Sequence, residues 1–319
     1  MPEGYTHVRT AQKAAHAIHY KLQCPAAFAA GANGPDSFFC YEVWKKGQNR
    51  TYNLPLLGNR MHEDKTGAFL LALLHHTHTQ AQIEYTLGFL CHYAADTVMH
   101  PYVVFVSSPG QPYGMKGGHG YFEIALDSTL HAEDTGVSEV PADDSSPVPV
   151  GQDLAEIAAL LHQCILEVYG QDISVEALAD SFYYTYRLRR LFPTRKAVTF
   201  AASALGFDAA VHLLLELFFG GRGVITGHVS PAHLKLNLPE DWTDPATGQE
   251  RHGGAFALLK DAQHRCELFM TAALGHWMGK LDEEILEKTL GSMSYITGTE
   301  TEQSKSQQAP DAEQAGETA

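Results

Sequence analysis

Two short stretches in the first half of the chain constrain its fold more than any others. They are His92, Asp96 and His100 in HYAADTVMH, and His119 and Glu123 in HGYFE. Successive residues of an α-helix turn by about 100°, so residues four apart lie within about 40° of one another on one face. His92 and Asp96 therefore reach one point off a helix surface, and His119 and Glu123 do the same on a second helix. His100 is rotated by about 80° from His92 and reaches a neighbouring point. Asp96 lies between them, with two oxygens that can bridge two ions. Burying so many ionisable groups without a cation would be very costly. The pattern therefore reads as a cluster of two or more divalent metal ions held between helices, the kind of centre that hydrolyses phosphate esters.

The rest of the chain supports an all-α domain. Helical periodicity runs over 6–22, with Thr6 as N-cap, and then over 64–79, 80–99, 119–131, 153–169, 174–191, 194–219 and 254–290. Pro101 is expected to end the helix that carries His92, because the residue before a proline is pushed out of the α region. GANGPDSFF (31–39) reads as a loop delivering Asp36, 40–60 as irregular, and 106–118 and 220–254 as Gly/Pro-rich loops. Strand-like alternation is nearly absent. The expectation is one helical-bundle domain over 1–295, with an acidic surface loop at about 132–151 and a disordered polar tail over 296–319.

Charge and cysteine usage narrow the function. The formal net charge of −15 argues against a nucleic-acid partner bound through its phosphates. Five scattered cysteines form no CxxC pair, which points to reduced, buried thiols and a cytoplasmic location. No stretch is long and apolar enough to span a membrane, and the charged, histidine-interrupted first residues are not expected to act as a secretory leader. Among the eighteen histidines, His75, His76 and His78 cannot all face one point on a helix, so they read as surface or core groups.

The order H-x3-D, H-P and H-x3-E, preceded by the GPD of Asp36 and an isolated histidine, resembles the bacterial zinc-dependent phospholipase C family. Its helical fold is shared with the single-strand-specific zinc nucleases. The resemblance implies that Asp36, His62, His92 and Asp96 hold one zinc ion, and that His100, His119 and Glu123 hold a second. It implies a third ion at His7, Asp96 and the free amino terminus. This chain departs from the family there: it begins at Met1, and Pro2 would supply only a secondary amine. Asp36 is also the candidate to orient the attacking water or act as general base. Tyr5, Phe38, Phe39, Tyr93 and Tyr102 are candidates to line a headgroup pocket. Three function classes stay open. One is a phosphodiester hydrolase acting on phospholipids, with only peripheral membrane contact. The second is a nuclease or nucleotide phosphatase. The third is a non-catalytic zinc-binding protein on the same fold.

Overall fold

The computed structural model describes residues 4–191 and 238–301. In chain order the helices are α1 (Gly4–Ala17), α2 (Pro25–Ala32), α3 (Leu54–Glu63), α4 (Thr66–His76), α5 (Gln80–Val106), α6 (Gly118–Thr135), α7 (Ala142–Ser145), α8 (Gln152–Tyr169), α9 (Val175–Leu191), α10 (Ala255–Trp277) and α11 (Glu283–Leu290). A 3-10 helix, Gly34–Cys40, joins α2 to the segment before α3. One small antiparallel pair, β1 (Asp241–Thr243) with β2 (Glu250–His252), is registered Trp242 to Arg251. Apart from that pair, the elements of the described residues are helical, as the periodicity leads one to expect.

α5 is the axis of the molecule. Thr79 starts it with a reciprocal capping box to Gln82. Its face is apolar all round, interrupted between Gln82 and Met99 by few polar groups, and a helix of that kind must be enclosed by others. The small-residue helix α2, PAAFAAGA, packs along it on one side and α10 on another. Phe28, Phe69, Phe89, Leu90, Phe269 and Met270 fill the main core around it. A second core forms where Tyr102, Phe122 and Leu126 meet Trp242 of the hairpin.

Buried carboxylates on two helices hold the ends of others. Glu84 of α5 accepts from the backbone N–H groups of Gln23 and Cys24, both at 2.7 Å, just ahead of α2. Asp127 of α6 accepts from the N–H of Tyr5 (3.0 Å) and of Thr6 (2.8 Å) in the first turn of α1. Thr6 is thus not the N-cap expected from sequence. It lies inside α1, and the cap comes from another helix.

Five further expectations are corrected. α5 does not stop before Pro101 but runs through it to Val106. A proline inside a helix forfeits one ladder bond, and burial of Tyr102, Val103 and Val106 beyond it outweighs that loss. The segment read as irregular over 40–60 becomes helical from Leu54, where Asn53 accepts from Leu56 N–H and Pro55 sits in the first turn. Asp36 lies on a 3-10 helix rather than in an open loop. The pattern over 254–290 divides into α10 and α11. The chain stays packed as far as Thr301, which is buried, five residues past the expected start of the tail. The helix expected at 194–219, most of the loop expected at 220–254 and the tail from 302 lie outside the described residues. No described helix is long and apolar enough to cross a membrane.

Candidate metal centre

Five elements converge on one buried place. α1 supplies His7, the 3-10 helix supplies Asp36, α3 supplies His62 in its last turn, α5 supplies His92, Asp96 and His100, and α6 supplies His119 and Glu123. All eight residues singled out from sequence meet there. Seven of them are buried, and His119 alone has a partly open side chain, 37% exposed.

Asp96 is the hub. Its carboxylate lies 3.2 Å from His7 Nε2, 3.1 Å from His92 Nε2, 3.5 Å from His100 Nδ1 and 3.8 Å from His62 Nε2. Asp36 Oδ1 lies 3.2 Å from His62 Nε2. Glu123 Oε1 lies 3.4 Å from His100 Nε2 and 3.0 Å from His119 Nε2. Ligand atoms bound to one tetrahedral zinc at about 2.0–2.2 Å are separated by about 3.4 Å. The observed spacings bracket that value. Three groups bring donor atoms within 4.8 Å of one another: His7, Asp36 and His92; His62, His92 and Asp96; and His100, His119 and Glu123.

The orientation of the rings follows from their second nitrogens. His62 Nδ1–H donates to the Gly58 carbonyl at 2.6 Å, His92 Nδ1–H to the Ala32 carbonyl at 3.2 Å, and His100 Nδ1–H to the Tyr295 carbonyl at 3.0 Å. Each bond fixes one tautomer and leaves Nε2 facing the centre, the usual support for a metal-bound imidazole. Close approach also demands Gly34, at φ +52°, because a Cβ there would lie 2.3 Å from His92 Cδ2.

The donor set fits a cation. Asp36 Oδ1 and Oδ2, Asp96 Oδ2, His92 Nε2 and His7 Nδ1 are buried without an aligned hydrogen bond. His92 Nε2 and Asp96 Oδ2 are only 3.1 Å apart. Such closeness without alignment is what two lone pairs aimed at a shared third point produce. Buried polar atoms left in this way cost several kcal/mol unless something compensates them. Imidazole nitrogens with carboxylate oxygens form the donor chemistry of zinc sites.

Charge is already arranged for cation binding. Burial works against ionisation of Asp36 and Asp96, yet the surrounding imidazoles hold both carboxyls below their ordinary range, Asp96 well below it. Burial lowers His92 and keeps it neutral, ready to ligate. At His100 burial is outweighed by Asp96 and Glu123, which push it up to about 9, and at His7 Asp96 has the same upward effect.

The remaining candidates fall elsewhere. Phe38, Tyr93 and Tyr102 are fully buried core residues. Tyr5 stacks edge-on against His131 at 4.8 Å. Of the five aromatics, Phe39 lies beside His62, with ring centroids 5.6 Å apart. His75 pairs with Glu283 and His76 with Glu167 at the surface. The amino-terminal nitrogen expected at a third ion lies outside the described residues. Sequence reasoning missed Tyr295, whose ring lies 5.1 Å from that of His62 and 5.8 Å from that of His92. Its one local signal is the pair Tyr295-Ile296 in an otherwise polar stretch.

No curated protein and no solved structure matches this chain. A family model described as zinc dependent phospholipase C matches residues 6–186, more than half of the sequence and a span that contains all eight converging side chains. The chain belongs to the zinc-dependent phospholipase C family.

Proposed function

We propose that this protein is a zinc-dependent phosphodiester hydrolase of the phospholipase C type, with phospholipid as its substrate class. One observation carries the reading: eight imidazoles and carboxylates from five elements share one mostly buried centre around Asp96. His62, His92, Asp96 and Asp36 would hold one ion, and His100, His119 and Glu123 a second. His7, next to Asp96 and Asp36, leaves room for a third. Zinc, when bound, supplies positive charge for phosphate oxygens and acidifies a bound water near neutral pH.

The chain's own groups do the rest. Asp36 stays ionised, so its carboxylate accepts a hydrogen bond from the attacking water and orients it. His119 is the open side of the centre and marks where a phosphodiester enters. Phe39 offers an apolar wall beside His62 for a headgroup. The buried rear, closed by Tyr295, excludes bulk water and strengthens every charge interaction within. Five free cysteines, four of them buried, support a cytoplasmic location.

The test is hydrolysis by the zinc-loaded full chain of para-nitrophenyl phosphocholine, of phosphatidylcholine vesicles and of single-stranded DNA, each with and without chelator. Chelator-sensitive turnover of the first two supports the reading. Turnover of the DNA alone would transfer it to the nuclease class. Silence on all three at full zinc content would leave a metal-binding protein without hydrolytic activity.

A further inference from the structure

We infer that the turn Ser292–Thr301, which lies beyond the family match, is a working part of the metal centre, with Tyr295 as the positioning residue for His100. The inference rests on the metal-centre reading above.

The turn is tightly built. Ser294 N–H donates to Thr299 O, Gly298 N–H to Ser294 O and Thr301 N–H to Ser292 O, each at 2.8 Å. The Ser294 hydroxyl accepts from Ile296 N–H at 3.2 Å and Thr297 N–H at 3.3 Å. It is anchored to α5 as well. Met293 N–H donates to the Tyr93 hydroxyl at 2.9 Å, and that hydroxyl donates to Leu290 O at 2.9 Å.

So held, the turn touches the centre at two backbone points. Tyr295 N–H donates to His62 O at 2.8 Å. The Tyr295 carbonyl accepts from His100 Nδ1–H at 3.0 Å, which leaves Nε2 directed towards Glu123. Gly58 and Ala32 orient His62 and His92 from within the matched family segment. His100 takes its orienting carbonyl from 195 residues away.

Pro101 explains why the turn docks where it does. A helical proline has no N–H for the carbonyl four residues back, here Thr97 O. Gly298, at φ +64°, sits over that carbonyl: a Cβ there would lie 2.4 Å from Thr97 O and 3.3 Å from Pro101 Cγ. Glycine instead presents a Cα hydrogen to the freed oxygen. The H-P dipeptide thus serves twice, supplying the ligand and the landing place for the segment that orients it.

Gly298→Ala should lift the turn from α5. Gly279→Ala is the control, with the same left-handed strain (φ +66°) and nothing within 4 Å of the added Cβ. Ser294→Ala is a milder second variant that removes two bonds within the turn. Zinc release from the full-length proteins is followed with a chromogenic chelator, and the tautomer of His100 is read by imidazole 15N–1H correlation. Loss of an outer-shell partner weakens metal binding by about ten- to a hundredfold. The expected result is zinc release at least threefold faster in Gly298→Ala than in both wild type and Gly279→Ala, with loss of the protected His100 Nδ1–H signal. Acceleration below threefold, equal acceleration in the control, or an unchanged His100 signal overturns the inference. If Gly298→Ala does not fold, Ser294→Ala decides by the same threshold and signal. A wild type that holds no zinc overturns the metal-centre reading itself, whereas zinc-loaded wild type with unaffected variants overturns only the role of the turn.

Discussion

Asp96 and His100 carry most of the argument at the scale of single residues. Asp96 faces four histidines and Glu123 faces His100 and His119, so Asp96→Ala should remove more bound zinc than Glu123→Ala. Leaving buried groups unpaired costs about 3–5 kcal/mol, so the melting temperature of Asp96→Ala should fall by roughly 10 °C. Calorimetry with metal analysis checks both. His100 sets the pH response. Its folded pKa of about 9 exceeds the ordinary 6.5, so at pH 7 the metal-free protein carries a proton there that zinc must displace. Zinc affinity should therefore rise by roughly tenfold per pH unit up to about 9, with proton release visible as buffer-dependent binding enthalpy. The metal-free protein should behave in the opposite sense: the stabilisation from protonated His100 is complete below 6.5 and is lost as pH rises through about 9. The i, i+4 ligand pairs were legible because helix geometry fixes them locally. The orienting carbonyls of Gly58, Ala32 and Tyr295 were not, since backbone oxygens leave no trace in residue identity.

At the scale of elements, one helix can be positioned by another's side chain. The first turn of α1, which presents His7, hangs on Asp127 of α6, one turn beyond Glu123. Asp127→Ala should cost about 1–3 kcal/mol, seen as a lower urea midpoint with faster amide exchange at Tyr5 and Thr6. Reading Thr6 as the cap failed because a cap supplied from 121 residues away has no local signature. Pro101 misled for a related reason. The rule that proline ends helices weighs local bonds, while α5 continues because Tyr102, Val103 and Val106 are buried in the second core. Helices α8 and α9 fell within a residue of expectation, since their amphipathic pattern is set by the chain itself.

Across the whole molecule, the centre joins segments from residue 7 to residue 123 and is backed by Tyr295, so metal and fold should stabilise each other. Zinc at a thousandfold excess over its Kd contributes about 4 kcal/mol, and chelation should lower the melting temperature by roughly 10 °C. An all-α architecture was readable from hydrophobic periodicity; the central place of α5 was not. The return of the chain to the centre through Ser292–Thr301 was not, because that docking depends on a carbonyl that a proline frees on a distant helix. The measurement that tests the central claim most directly is elemental analysis of the full chain after exposure to zinc and exhaustive gel filtration, with Asp96→Ala alongside. The account predicts at least two zinc equivalents per wild-type chain and fewer than half as many in the variant. A folded wild type that retains none, or a variant that retains the full complement, would contradict it.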